Sequence, residues 1–286
     1  MNTHDLDYRI KKLKDLPTLS TILTECNNML KNPNVSASDL AKIIKSDQSI
    51  SSKVLKLVNS AFYGLSGKVS NISHAIVILG FSTIRNVILS VSVFDFLPKD
   101  ADLGGFEISK FWEHSTGCAI ISKVFAQRLG MKDPEEAFIA GLLHDIGKLA
   151  IAKMFRDDFI TILKTTHKDK VLILDAEREV LGITHPQIGG ILSQQWKLPT
   201  TLTEAISFHH NGEKKINNVK LVSIVHLADI ITRGLQIGSG GDQVIPELNN
   251  KAWDTLNLDI DIIERWIDDI DEEIDKANSF FSVLSE

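Results

Sequence analysis

The stretch "GLLHDIGKLA", residues 141–150, sets His144 beside Asp145 in the middle of an apolar run. A carboxylate is costly to bury unless a counter-charge or hydrogen-bond donors accompany it. Phe138, Gly141, Asp145, Leu149 and Ala152 recur at spacings of three and four, which predicts one helix through the dyad with Asp145 turned inward. His144 lies about 100° round from it at 3.6 residues per turn. Lys148 is one turn beyond His144 on the same side. Two successive polar residues in a helix that is apolar nearly all round predict a buried polar centre. What neutralises Asp145 is the question this stretch raises.

Four other helical segments bring polar residues to similar positions. Phe111, His114, Cys118, Ile121 and Phe125 share one apolar stripe, so His114 faces inward. In "GITHPQIGG" (182–190) His185 precedes Pro186, which favours the first helical turn and puts His185 at a helix N-terminus. In "TLTEAISFHHNG" (201–212) His209 continues the stripe of Leu202, Ala205 and Ile206, and His210 adjoins it at the helix end. In "VKLVSIVHLADII" (219–231) Val222, Val225 and Asp229 share a stripe, so a second carboxylate faces the core.

Taken singly, each inward histidine reads as a hydrogen-bonded core residue and each inward aspartate as half of an ion pair. Taken together, five histidines and two aspartates converge with Lys148 as the one obvious basic partner. Neutral imidazoles cannot neutralise two carboxylates, whereas divalent cations can. Imidazole with carboxylate suits Fe, Mn or Zn. Seven groups exceed the needs of one tetrahedral zinc. They fit two octahedral metal ions bridged by Asp145.

The rest of the chain bounds these readings. Its 286 residues suffice for one large domain or two ordinary ones, and 43 % hydrophobic with 24 % charged residues suits a globular protein. The formal net charge of −6 argues against nucleic acid as a partner, a helix-turn-helix reading of residues 17–98 included. Two cysteines without a CxxC neighbour and a polar N-terminus predict a cytoplasmic, reduced setting without a signal peptide. Apolar runs such as "AIVILGF" are too short to span a bilayer, so no membrane partner is expected. No run alternates long enough for a strand, and the expected class is all-α.

"SASDLAKII" opens with Ser36 placed as a helix cap, and "NSAFYG" (59–64) reads as a turn. "FLPKDADLGG" (96–105) is the best internal boundary, giving an N-terminal helical lobe at 1–100 and a metal-binding helical core at 101–286. "GSGGDQ" (238–243) reads as a flexible loop, not a P-loop. An acidic helix over 258–277 closes the core, with an isoleucine stripe that packs on the body.

"HDIGK" resembles the signature of the HD superfamily of metal-dependent phosphohydrolases. With "LPTLSTIL", "DLAKIIKSDQSISSKVLKLVNSAFYG", "SHAIVILGFSTIRNVIL", "HPQIGGILSQQWKLP" and "AISFHH", the chain is similar to the HDOD branch, the HD-related output domains. The resemblance implies a compact multi-helix fold in which an N-terminal lobe packs on an HD-like core. It implies His114, His144, Asp145 and Asp229 as the basic metal site, and His185, His209 and His210 as the added ligands of two-metal members. Two divalent ions, Fe or Mn, would then serve a phosphohydrolase acting on a nucleotide or cyclic-nucleotide phosphoester. Asp145 would carry that catalysis together with Lys148, which could balance charge on a phosphate; a surface lysine or an ion pair is the other reading of Lys148. Many HDOD domains have lost these groups and are regarded as signalling modules, so the alternative is a non-catalytic scaffold with a protein partner. "FHHNGEKKINN" lacks the Gly-Tyr-Pro of the cyclic di-GMP-hydrolysing relatives. Lys110 stands where their three-metal members tend to place a glutamate. The resemblance therefore does not extend to cyclic di-GMP or to a third metal.

Overall fold

Helix follows helix along the whole described chain, with no strand among the described residues. A computed structural model describes residues 21–29, 32, 35–94, 103–210 and 216–285. Within it the chain forms two compact units, one within Leu97–Ile270 and the other joining Thr18–Phe96 to Asp271–Glu286. The predicted boundary at 96–105 falls largely outside the described residues.

The smaller unit contains α1 (Thr21–Met29), α2 (Ala37–Lys45), α3 (Gln48–Val58) and α4 (Ile72–Phe94). Ser36 caps α2 by accepting the Asp39 amide at 3.1 Å, and Asp47 caps α3 by accepting the Ile50 amide at 2.9 Å. The predicted "NSAFYG" turn is a single 3₁₀ turn, Ala61–Tyr63, closed by Gly64 in the left-handed conformation (φ 58°). Asn59 fastens it from below, donating to Val69 O (2.8 Å) and accepting from Val69 N (2.7 Å). Phe62 is thereby buried against Phe280, with ring centroids 5.1 Å apart.

α4 has the length and apolar composition to cross a membrane, although no single apolar run in the sequence does. It is not one continuous helix, because Gly80 adopts φ 82°, ψ 166° and breaks it. Of its most apolar window, 56 % is buried in the protein.

The larger unit is built around α5 (Ile108–Arg128), whose residues from Phe111 to Ala126 are buried on nearly every side. α6 (Pro134–Leu143) and α12 (Val219–Gly234) pack against it. α7 (Ile146–Met154), α8 (Arg156–Asp169), α9 (Ile173–Val180), α10 (His185–Gln195), α11 (Thr200–Phe208) and α13 (Asn250–Leu256) complete the layer around them. The α7–α10 crossing is unusually close. A β-carbon on Gly147 would lie 2.0 Å from the His185 carbonyl oxygen, so only glycine lets the two backbones meet.

α14 (Ile260–Ser285) is longer than the helix predicted over 258–277. Trp266 stacks edge-on against Phe125, but from Asp271 onward the helix belongs to the smaller unit. Ile270 and Phe280 are both fully buried, and they fall in different units.

Candidate metal centre

The dyad does not sit inside a helix. α6 ends at Leu143 and α7 begins at Ile146, leaving His144 and Asp145 in the turn between them. Asp145 has φ −97°, ψ 9°, outside the helical range that the apolar periodicity predicted. The break sends both side chains into the same interior space. His144 Nδ1 donates to Gly141 O at 2.7 Å, which leaves Nε2 facing inward.

Every residue singled out in the sequence reaches that space. His114 comes from α5 and Asp229 from α12; His185 opens α10, within the Thr184–Gln187 capping box. His209 and His210 follow the last turn of α11. Asp145 Oδ1 lies 3.1 Å from His185 Nε2 and 3.6 Å from His209 Nε2, while its Oδ2 lies 3.3 Å from His144 Nε2 and 3.7 Å from His114 Nε2. Asp229 Oδ1 is 3.2 Å from His114 Nε2. The groups thus fall into two sets, Asp145–His185–His209–His210 and His114–His144–Asp229, each with its ligand atoms within 4.8 Å of one another. The Asp145 carboxylate faces both.

The histidine tautomers are set by their outer nitrogens. His209 Nδ1 donates to Ile206 O (2.9 Å) and His185 Nδ1 pairs with Glu177 Oε2 (2.8 Å), so both present Nε2 to the centre. His226 is not part of the centre; its Nε2 accepts from Asn249 N and its Nδ1 donates to His209 O, which fixes the backbone of the paired histidines. Among the described residues, Nε2 of His114, His144, His185, His209 and His210, with Asp145 Oδ1 and Asp229 Oδ2, are buried without a hydrogen-bond partner. Buried polar atoms are almost always satisfied. Seven such atoms gathered in one space form a donor set that could hold metal ions.

Charge leads to the same place. Asp145, Asp229, Glu177 and Asp242 are buried against two fixed cations, Lys148 and Arg233. Burial opposes ionisation of Asp145, but His144, Lys148 and His185 outweigh it and hold the carboxyl well below its usual range. Burial likewise opposes ionisation of Asp229, and Arg233 and His114 outweigh it. His209 is pushed down to about 4 by burial, and burial also lowers His114 and His210. Three of the five imidazoles, those of His114, His209 and His210, are thus kept neutral beside ionised carboxylates, whereas, against burial, Asp145 raises His144 and Glu177 raises His185. Imidazole with carboxylate is a donor set that fits divalent metal ions.

Lys148 is fully buried, which removes the surface reading, and its Nζ donates to Asp145 Oδ2 at 2.5 Å. Residues missed in the sequence support the centre from outside. Glu177 clamps His185 through both its ring and its backbone amide (2.7 Å). Arg233, one turn after Asp229, donates from Nε to Asp229 Oδ1 (2.8 Å) and from Nη1 to Asp242. Its i+4 spacing from Asp229 was the available signal. The "GSGGDQ" segment is not the flexible loop expected: Gly240, Gly241 and Asp242 are buried, Ser239 N donates to Lys110 O (2.9 Å), and Asp242 accepts from Ile173 N (2.7 Å).

Two cavities flank the centre. One of about 530 Å³ is lined by His114, Arg233, Ser239 and Gly240, and one of about 450 Å³ by Arg178, Gln187, Ser207 and His210.

An all-helical core holding a buried histidine–aspartate cluster around a His-Asp turn defines an HD-type protein. Residues 16–212 match the HDOD domain family, and the chain belongs to it. Among solved structures it is similar to an HDOD domain protein of unknown function from Geobacter sulfurreducens, at 24 % identity and a TM-score of 0.79 over 97 % of each chain. It is also similar to a protein from Shewanella amazonensis SB2B provisionally described as a phosphohydrolase, at 24 % identity and a TM-score of 0.72 over 98 % of this chain and 96 % of that one. An uncharacterized protein of Treponema pallidum (strain Nichols) is 28 % identical over 228 residues, 78 % of this chain. The chain spans 43 % of that relative's length.

Proposed function

We propose that this HDOD protein is a metal-dependent phosphohydrolase that binds two divalent cations, Fe or Mn, and acts on a nucleotide-type phosphoester. One observation carries the reading: Asp145 faces two sets of ligand groups whose inward lone pairs have no partner among the described residues. Asp145, His185, His209 and His210 would hold one ion and His114, His144 and Asp229 the other, with Asp145 shared. Such a pair of ions supplies an activated water near neutral pH and charge stabilisation for the phosphoryl oxygens.

The chain's own residues do the rest. Glu177, Gly141 O and Ile206 O hold three imidazoles in the ligating tautomer. Lys148 and Arg233 keep both aspartates ionised and add positive charge on one side of the centre. Burial excludes bulk water and strengthens each of these interactions. The test is turnover of a phosphoester panel by Fe- or Mn-loaded protein beside its Asp145→Ala variant. Hydrolysis of at least one nucleotide ester that vanishes in the variant supports the reading; no turnover across the panel by fully loaded protein contradicts it.

A second reading has one observation in its favour. Six of the seven groups are at most 1 % exposed, as a structural or ligand-sensing ion would require. On that reading the protein is a signalling scaffold whose protein partner stays bound when Asp145 is replaced.

A further inference from the structure

Gly240 has no conformational reason to be glycine. Its φ is not positive, unlike those of Gly238 (+61°) and Gly241 (+101°) in the same loop. Its surroundings supply another reason. A β-carbon there would lie 3.1 Å from Arg233 Nη2, 3.1 Å from Lys148 Nζ and 3.5 Å from Asp145 Oδ2. Two cationic groups therefore converge on the open face of this residue, beside the shared carboxylate of the centre.

Arg233 is committed on one side only. Nε and Nη1 are taken by Asp229, Asp242 and Val244 O, which fix the plane of the guanidinium. Nη2 is buried and has no hydrogen-bond partner among the described residues, although the side chain is only 6 % exposed. An arginine pinned by two carboxylates with its last nitrogen unused is a preorganised donor for an oxyanion. Arg233 and Gly240 line a cavity of about 530 Å³ together with Ser239 and His114, one residue of the centre.

We propose that Arg233 Nη2 and the open face of Gly240 form an oxyanion subsite that takes a non-bridging phosphoryl oxygen of the ligand. The inference rests on the phosphohydrolase reading for its choice of phosphate, and it assigns Arg233 a binding role besides its pairing with Asp229. Gly240 is the space through which that oxygen approaches.

The test uses inorganic phosphate as the probe, with acetate as a second anion, on the Mn-loaded and the metal-free full chain. Wild type is compared with Gly240→Ala and Arg233→Lys by calorimetry, with metal content and circular dichroism measured on each. Alanine fits the Gly240 backbone, so that variant is expected to keep its fold and its metal. Phosphate is expected to bind at least tenfold more weakly to both variants than to wild type, and acetate to bind wild type more weakly than phosphate. Equal phosphate affinity in wild type and Gly240→Ala overturns the inference, whatever the metal content, as does no phosphate binding to wild type. Acetate binding as tightly as phosphate overturns the phosphoryl assignment. Absence of metal from wild type overturns the phosphohydrolase reading instead, while a Gly240-dependent phosphate response in the same protein upholds the subsite.

Discussion

Replacing Gly147 by alanine tests how the centre is assembled. On an ordinary helix this change stabilises by about 1 kcal/mol, because alanine has the better helix propensity. Here the new β-carbon would meet the His185 carbonyl oxygen at 2.0 Å and the Gly189 amide nitrogen at 2.9 Å. Ordinary contact begins near 3.4 Å, so α7 and α10 must separate by about 1.4 Å. Both clashing groups are backbone, and no side-chain rotation relieves them. Overpacking of this kind costs about 3 kcal/mol, the upper end of the usual range. After the propensity gain, about 2 kcal/mol of destabilisation remains, roughly 3 °C in Tm for a chain of this size. The same movement separates His185 from Asp145, now 3.1 Å apart across the centre, by several times the ~0.2 Å that ligand distances tolerate. Gly147→Ala is therefore expected to unfold at lower temperature and to retain at most one metal ion per chain while still folding as helix. Calorimetry and elemental analysis measure both. A variant as stable as wild type and carrying the same metal would refute the close-approach argument.

Other consequences are independent of that crossing. Glu177→Gln removes the carboxylate that sets the His185 tautomer, and metal affinity is expected to fall about 10–100-fold, as measured by competition with a chelator. Glu204 accepts four hydrogen bonds from the backbone and side-chain nitrogens of Asn217 and Asn218, at 2.8–3.2 Å, where α12 begins. Burial opposes its ionisation, but these donors, Asn218 foremost, hold its pKa below the usual glutamate value. The stability it supplies is therefore complete above the unfolded-state pKa and lost as pH falls through the folded one. Glu204→Ala is expected to cost about 1–3 kcal/mol at neutral pH and less in acid, read from denaturant unfolding at several pH values. A cost that does not change with pH would contradict the assignment.

The helical class, the inward faces and the convergence of five histidines and two aspartates were legible because apolar periodicity reports which face is buried. Periodicity could not show the turn at His144–Asp145, since both flanking helices are apolar nearly all round and the stripe reads through the break. Nor could it distinguish "GSGGDQ" as a mobile loop from the buried strap it is. Gly238 allows that strap to lie against the α5 backbone, where a β-carbon would come within 2.3 Å of His114 N. Glu177 was hidden because it acts on a ligand from another helix, whereas Arg233 was signalled only by its i+4 spacing from Asp229. The division of α14 between the two units was equally hidden, because its isoleucine stripe continues across Ile270.

On the reading proposed above, Asp145 joins two cations. Elemental analysis of protein purified under reducing, anaerobic conditions without added metal tests it most directly. Two equivalents of Fe or Mn per chain are expected in wild type, and loss of both in Asp145→Ala; a wild-type protein that carries fewer than two, and takes up no more when Fe or Mn is offered, would contradict the shared-carboxylate centre.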